Sequence, residues 1–225
     1  MSGARYAPPE PANLRERAYD AFTQRILSRE IRPGQFVSQR ELVELTGVSL
    51  GAIRELVPRL EAEGLIVTIP QRGMQVAHVD VDLIRNAFQF RLFLEREAVV
   101  AFTASASDSA IRAQRDAHED ILTRARESGV TQKLIDKAQI VDLAFHEAII
   151  DHLGNDIVSK AYRVNWIKIR LIRHDETGLL PHLAEPVMRA HLAVIEAIEA
   201  RDAAGACAAL TTHITGARDR ALSVK

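Results

Sequence analysis

The chain beyond Asp80 is a succession of long helical periods, and this feature constrains the fold more than any other. Apolar residues recur there every three to four positions, and the alternation typical of β-strands is missing. Breaks divide this part into six predicted helices, at residues 80–104, 107–128, 131–153, 155–175, 183–200 and 202–222. Such helices bury their apolar stripes by packing on one another. We therefore predict an all-α bundle of six or seven helices over residues 79–225.

Residues 12–78 show a different pattern, in which short helices precede a hairpin. The predicted elements are helices at 13–30, after Ser38 and from Ser49 to about Glu63, then strands at 65–69 and 74–76. Ser38 and Glu41 have the S-x-x-E spacing of a capping box, and Ser49 can cap the third helix. This order is typical of a winged helix-turn-helix, which reads the DNA major groove. A small helical unit that touches no nucleic acid is the alternative.

The expected fold is therefore mainly α, with a winged helix-turn-helix that carries a small β-hairpin wing at residues 12–78. A helical domain then occupies residues 79–225. Residues 1–11 contain three prolines and are predicted to form a flexible arm.

Charge and cysteine content narrow the class of protein. Ten arginines balance ten acidic residues within residues 1–80. DNA binding by this part must therefore depend on where the arginines lie on the surface and not on its net charge. The single Cys207 leaves no intramolecular disulfide possible and fits a reducing compartment. No segment approaches the roughly 18 apolar residues of a membrane span, and the N-terminus lacks the apolar core of a signal peptide. We expect a cytoplasmic protein with no membrane partner.

Two pairs of residues suggest a metal site in the helical region. Asp142 and His146 lie four positions apart, so they project from one helix face, one turn apart. His191 and His213 each lie 11 positions from Asp202, so a helix hairpin that reverses there brings both imidazoles to one height. One carboxylate and three imidazoles favour zinc, nickel, copper or iron over magnesium or calcium. The alternative is a solvated aspartate and three core histidines.

Two sets of short motifs resemble a known family. The first resembles the GntR family of bacterial transcription regulators and comprises Ile31-Arg32-Pro33-Gly34, Arg40-Glu41-Leu42, Gly47-Val48-Ser49, Arg54-Glu55, Leu60-Glu61, Glu63-Gly64-Leu65, Gly73 and Val76. The second resembles the FCD effector-binding domain of the FadR subfamily and comprises Arg91, Leu94-Glu95, Asp142, His146, His191 and His213. The two halves match independently and in the family's order. The resemblance covers nearly the whole chain beyond the N-terminal arm.

The resemblance implies which residues contact DNA. They would be Arg40 at the start of the second helix, Ser49 and Arg54 in the recognition helix, and Arg72 and Gly73 at the wing tip. An arginine can bond both acceptors of a guanine, or a phosphate, with its planar fork. The alternative for Arg40 and Arg54 is an ordinary solvated charge, paired with Glu44 or Glu55.

The recognition helix departs from the family pattern at several positions. Leu50 stands where an arginine is common, and Gly51 and Ala52 follow, so base readout is expected to be narrower or different. Pro58 falls where a helix former is usual, and an interior proline removes one backbone hydrogen bond. We expect a bend there.

The resemblance also implies an effector and a mode of action. Small carboxylates or sugar acids are the expected effectors, with Arg91 and Arg170 as candidate carboxylate-binding residues and zinc or nickel as the metal. For Arg91, an intrahelical pair with Glu95 is the alternative. The expected protein is a homodimeric repressor that binds an inverted-repeat DNA operator.

Two other functions are compatible with the same residues. In the first, the protein regulates transcription but senses the metal itself. In the second, it is a metal-dependent hydrolase, since a bound cation with an open position can activate water. Glu147 adjoins His146 and therefore faces about 100° away from it on a helix, which leaves no evident general base. We therefore expect no enzymatic activity.

Overall fold

The computed structural model describes residues 11–28, 30–175 and 181–223, and the chain divides into two compact units between Val79 and Asp80. The first unit contains α1 (Pro11–Leu27), β1 (Phe36–Val37), α2 (Gln39–Thr46), α3 (Leu50–Ala62), β2 (Ile66–Ile69) and β3 (Gly73–Val76). The second contains α4 (Val81–Ser105), α5 (Asp108–Ser128), α6 (Gln132–Asp151), α7 (Asp156–Asp175), α8 (Pro181–Glu199) and α9 (Ala203–Ser223). The mainly helical fold with a small hairpin is confirmed.

Local capping signals set the boundaries of the helices in the first unit. Ser38 accepts a hydrogen bond from the Glu41 backbone, and the Glu41 carboxylate accepts one from the Ser38 backbone, so the predicted capping box is present. Gly47 ends α2 in the left-handed region, at φ 71°. Ser49 caps α3 by accepting from the Ala52 backbone.

The start and end of α1 differ from the prediction. The helix begins at Pro11, which the prediction assigned to the arm, because a proline is well tolerated at the first helical position. It ends at Leu27 and not near residue 30. The rest of the predicted arm, residues 1–10, lies outside the described part of the chain, as do residues 178–180 of the predicted break before α8.

One further expectation for the first unit needs correction. A third strand, β1, pairs with β3, so the sheet has the antiparallel order β1-β3-β2 instead of a lone hairpin. Pro58 lies inside α3, which continues past it to Ala62. The core of this unit lies beneath α1, α2 and α3, and includes Phe22, Leu42 and Ile53.

The second unit is a bundle of six helices over the residues described. Within it, α4 packs against α7 and α9, and α8 packs against α5 and α9. Buried apolar side chains such as Phe88, Phe145 and Ile195 fill the space between the helices. Over the described ranges, we find no helix whose length and apolar content would suit a membrane span.

Arg201 stabilises the turn between α8 and α9. Its backbone lies in the left-handed region, at φ 56°, and its guanidinium donates to the carbonyls of Thr103 and Ala106 at 3.0 and 2.9 Å. A second nitrogen contacts Asp108 at 2.6 Å. The side chain therefore ties the α8–α9 turn to the end of α4 and the start of α5.

The substitution Arg201→Met should lower the free energy of unfolding by about 1–3 kcal/mol, because it leaves carbonyls at the end of α4 without their charged donor. Urea unfolding of the chelator-treated protein, followed by fluorescence of the single tryptophan, Trp166 in α7, measures this change. Arg218→Met is the control, since that guanidinium contacts only the neighbouring Asp219 among the described residues. Equal stability of the two variants would contradict the prediction.

Candidate metal centre and nucleic-acid interface

The four predicted metal ligands converge in the middle of the second unit. Asp142 and His146 extend from α6, His191 from α8 and His213 from α9, and one ligand atom of each lies within 4.8 Å of all the others. All four side chains are buried. The alternative of a solvated aspartate is therefore wrong for Asp142, which is 2% exposed.

The distances among these atoms fit one shared ion. The Nε2 atoms of His191 and His213 are 3.1 Å apart, and Asp142 Oδ1 lies 3.6 Å from His191 Nε2. The same Oδ1 lies 4.0 Å from His146 Nε2. Metal–ligand bonds of about 2.0–2.2 Å put two ligands of one ion roughly 3–4 Å apart. The donor set of one carboxylate and three imidazoles also suits a transition metal.

Glu95 orients His146 from the side opposite the cluster. Its Oε2 accepts from His146 Nδ1 at 2.7 Å, which leaves the lone pair of His146 on Nε2. Arg91 Nη2 donates to that Nε2 at 2.6 Å, and Arg91 Nε pairs with Glu95 Oε1. Tyr162 donates to the same Oε1 at 2.8 Å. The intrahelical pair of Arg91 and Glu95 is thus present, within a larger network.

Burial and charge set the protonation of these groups. Burial, together with neighbouring imidazoles and Arg91, holds the pKa of His191 and His213 well below the ordinary value, so both are neutral. Burial also raises the pKa of Tyr162. Burial raises the pKa of Glu95 as well, but its contacts with Arg91 and His146 outweigh burial and lower that pKa below the ordinary value of a glutamate. The centre therefore combines neutral imidazoles with an ionised, paired carboxylate.

A small cavity adjoins the cluster. Its volume is about 30 Å³, which is enough for a water-sized molecule. Its lining residues are Phe88, Arg91, Asp142, Ile169, Leu183, Val187, His213, Ala217 and Arg220. Two of the four predicted ligands, one predicted effector-binding arginine and Arg220 thus meet at one cavity, whose other lining residues are apolar.

The other predicted effector-binding residue, Arg170, lies elsewhere. It is half-buried and donates to Gln139 Oε1 at 2.8 Å, and it is not among the described residues that line the cavity. Arg220 lines the cavity instead, and the sequence analysis missed it. The signal was available, because His213, Ala217 and Arg220 have the spacing of one helix face.

Three further residues of the centre were also missed. His118 and Trp166 are buried around the ligands, and Tyr162 contacts Glu95. The Trp166 ring lies 6.1 Å from that of His146 and 5.4 Å from the Arg91 guanidinium. Each belongs to a helix other than that of the ligand it supports, so no local spacing marks it.

The candidate DNA contacts of the first unit lie at the start of α2 and on α3. Arg40 and Arg54 are exposed, and Arg54 donates to Gln39, the neighbour of Arg40, at 3.4 Å. Among the described residues, Glu55 pairs with Arg15 of α1 at 2.5 Å and not with Arg54. The start of α2 and the middle of α3 therefore form one exposed polar surface.

Neighbouring residues alter the chemistry of that surface. Ser49 uses its hydroxyl to cap α3, and the adjacent Leu50 is 42% exposed. At the wing, Arg72 and Gly73 are both exposed. Gly73 has φ 91°, and an added Cβ would lie 3.2 Å from the Val37 carbonyl oxygen. The turn itself thus requires glycine at this position.

Comparison with protein-family models decides the family. The model for bacterial regulatory proteins of the gntR family matches residues 14–76, and the FCD domain model matches residues 86–216. The chain belongs to the GntR family and carries an FCD domain. The FadR-like resemblance is confirmed.

Relatives and solved structures agree with this assignment. The chain is 26% identical to an HTH-type transcriptional regulator in an unstable DNA locus of Streptomyces ambofaciens, over 89% of this chain and 82% of that protein. It is also 26% identical to the repressor NanR of Citrobacter rodentium, over 93% and 86% of the two chains. McbR/YncC of E. coli has the same fold, with a TM-score of 0.78, 16% identity and coverage of 93% and 97%.

These families and relatives are transcriptional regulators and not enzymes. In this GntR-family chain, Glu147 is half-buried and contacts Arg163 at 3.3 Å. Glu147 thus pairs with Arg163 and does not belong to the cluster of candidate ligand atoms.

The substitution Glu95→Gln should destabilise the chelator-treated protein by about 3–5 kcal/mol, because it leaves the buried Arg91 without its counter-charge. Glu97→Gln is the matched control on the same helix, since Glu97 is exposed. Urea unfolding at neutral pH measures both changes.

The pH dependence provides a second check on Glu95. Its pKa is lowered in the folded protein, so its stabilisation is present at neutral pH and is lost as the pH falls below the ordinary pKa of a glutamate. The difference in unfolding free energy between wild type and Glu95→Gln should become smaller as the pH is lowered. A constant difference would mean that charge is not the cause.

Proposed function

We propose that this GntR-family regulator is a homodimeric repressor that binds an inverted-repeat operator and responds to a small organic acid. In this proposal Asp142, His146, His191 and His213 hold zinc or nickel in the FCD domain. The observation that carries the proposal is the convergence of these four buried ligand atoms beside a cavity that Arg91 also lines.

The chemistry of the ligands supports the metal. His191 and His213 are neutral because they are buried, and a neutral imidazole is the form that binds a cation. The Nδ1–H of His146 donates to Glu95, an arrangement typical of metal-ligating histidines. Another regulator of this fold, with a TM-score of 0.53, is described as having a metal-free FCD domain, so metal content is a property to measure here.

The charges of the centre support an acidic effector. Among the buried side chains of the centre, Arg91 contributes one positive charge, and Glu95 and Asp142 contribute two negative charges when Asp142 is ionised as a ligand. A divalent cation changes the net charge from one negative to one positive. In a buried site a net charge is costly, so an anion is favoured next to the cation. A bound metal would supply open coordination positions for a carboxylate oxygen.

The lining of the cavity supports a small acid. Arg91 and Arg220 line it together with the apolar side chains of Ile169, Leu183 and Val187. Charged donors beside apolar walls suit a carboxylate on a short carbon chain. We therefore propose a small carboxylate as the effector, with a sugar acid as the alternative that the test includes.

The surface of the first unit supports DNA binding through Arg40, Arg54 and Arg72, with Ser49 at the start of α3 and Gly73 in the wing turn. The exposed arginines suit base edges and phosphates. Each copy of the chain would read one half-site of the operator. The effector can alter repression only if it binds the operator-binding and the free arrangements with different affinity.

Metal binding should occur at one ion per chain, and Trp166 can report it. Trp166 is the only tryptophan, and its ring lies 6.1 Å from the His146 ring, so a nickel ion at the centre should quench its fluorescence. Substitution of the ligand His213 by alanine should weaken nickel binding by more than the roughly 10–100-fold typical of outer-shell changes. His152→Ala is the control, because His152 contacts Ser105 and Phe102 and not the cluster.

The same experiment continues with acids and DNA. Acetate, malonate and gluconate are added to the metal-loaded protein, first in a thermal-shift assay and then in an operator-binding assay. A small carboxylate that stabilises the protein and changes operator affinity supports the proposal. Reversible loss of DNA binding on chelation, without a response to any acid, would show a metal sensor instead. Equal metal binding by wild type and His213→Ala would rule out the proposed centre.

DNA binding should depend on Arg54 and Arg40. Replacement of Arg54 by alanine should reduce operator affinity by about 1–3 kcal/mol if Arg54 bonds a base, and should relax sequence preference. Loss of a phosphate contact would instead reduce affinity for all DNA sequences. It would also lower the slope of log affinity against log salt concentration by about one. Arg25→Ala is the control, since Glu30 already neutralises that charge. Unchanged operator binding by both Arg54→Ala and Arg40→Ala would contradict the proposed interface.

A further inference from the structure

His118 is a fully buried imidazole beside the proposed metal centre, yet it does not belong to the group of four candidate ligands. It extends from α5, which supplies neither a candidate ligand nor a residue that lines the cavity. Its two ring nitrogens have separate partners. Nδ1 lies 2.6 Å from the Gln114 carbonyl oxygen, and Nε2 lies 3.0 Å from Nδ1 of His191.

The direction of these hydrogen bonds follows from the carbonyl at one end. A carbonyl oxygen only accepts, so His118 Nδ1 carries a hydrogen. His118 is fully buried, and its two ring nitrogens contact a carbonyl and an imidazole, not a carboxylate. A buried imidazolium without a counter-charge is costly, so the ring is neutral and has no second hydrogen. His118 Nε2 is therefore an acceptor, and the hydrogen in its bond with His191 belongs to His191 Nδ1.

This hydrogen-bond direction determines which nitrogen of His191 can bind a metal. A neutral imidazole with its hydrogen on Nδ1 has its lone pair on Nε2. His191 Nε2 is the atom that lies 3.1 Å from His213 Nε2 and 3.6 Å from Asp142 Oδ1. The lone pair thus faces the other ligand atoms.

The aromatic ring of Phe145 packs against both imidazoles. The ring of Phe145 stacks on His191 with centroids 4.6 Å apart and contacts His118 edge-on at 5.3 Å. The His118 and His191 rings are nearly perpendicular, at 79°. Both imidazoles are fully buried, so water does not compete for their nitrogens.

We propose that His118 is a positioning residue that holds His191 in the Nδ1-protonated tautomer and so directs its Nε2 lone pair to the metal. This inference rests on the metal site proposed above. It assigns to α5 a part in metal binding, through the backbone carbonyl of Gln114 and the ring of His118.

The two oriented histidines have different kinds of partner. His146 donates to the ionised Glu95, which is balanced by Arg91, whereas His191 donates to a neutral imidazole. A second carboxylate at residue 118 would add an unpaired buried charge, which is costly. An imidazole bound to a backbone carbonyl provides the same acceptor without that cost.

The test compares His118→Phe with His118→Gln. Phenylalanine fills the space but removes the acceptor, whereas the glutamine carbonyl oxygen can still accept from His191. Histidine ¹⁵N NMR of the full-length, chelator-treated proteins reports which ring nitrogen of His191 carries the hydrogen. Nickel quenching of Trp166 fluorescence then gives the metal affinity of each protein.

In wild type we expect His191 to carry its hydrogen on Nδ1. His118→Phe should shift His191 away from this tautomer and weaken nickel binding by about 10–100-fold, as is typical for loss of an outer-shell partner. His118→Gln should restore most of both properties. Phe145→Leu is the packing control, since it removes the ring beside both imidazoles and keeps His118; it should reduce stability without changing the tautomer.

The outcomes separate this inference from the metal site on which it rests. If wild type takes up no metal, the metal site is wrong, and with it the role of His118. If wild type binds nickel but His191 carries its hydrogen on Nε2, the positioning role is wrong and the metal site stands. The positioning role is also wrong if His118→Phe retains both the wild-type tautomer of His191 and the wild-type nickel affinity. It is wrong as well if Phe145→Leu shifts the His191 tautomer as much as His118→Phe does.

Discussion

The second unit is built around a buried ion pair, since Arg91 and Glu95 are 3% and 0% exposed and both charges are removed from bulk solvent. Such a pair is tolerated only when its remaining donors and acceptors are satisfied. Glu95 meets this condition by accepting from Arg91, Tyr162 and His146, which extend from α4, α7 and α6. Arg91 meets it with a further bond to His146 and with the face of Trp166. The pair therefore fixes three helices around one imidazole, and with it the orientation of a candidate ligand.

The sequence predicted the ligand set because each pair has a local geometric signature. Asp142 and His146 share a helix face, and His191 and His213 flank a turn at equal distances. The supporting residues have no such signature. His118 lies 73 positions from His191, and Tyr162 lies 67 positions from Glu95. Their partnership is created by the packing of α5 on α8 and of α7 on α4, which a single sequence does not encode in any short spacing.

The first unit shows the same division between local and non-local causes. The capping box at Ser38 and the left-handed Gly47 involve residues within one helical turn, so the boundaries of α2 were predictable. Strand β1 was not, because its two residues are ordered by pairing with β3 near residue 75. The contacts of Arg54 also depend on residues far away in the sequence. Glu55 pairs with Arg15 of α1, and Arg54 donates to Gln39 of α2.

In the proposed metal centre, Arg91 and a cation would both bind the lone pair on Nε2 of His146. His146 Nε2 accepts from Arg91, and the same Nε2 belongs to the cluster of candidate ligand atoms. A donor N–H and a cation cannot both use one lone pair, so Arg91 and a cation compete for it. Arg91 also lines the cavity, where a carboxylate offers its guanidinium a charge-assisted partner. When a cation takes the lone pair of His146, Arg91 loses its hydrogen bond to His146. A bound carboxylate gives Arg91 a new acceptor in place of that bond. Binding of the acid and binding of the cation therefore favour each other.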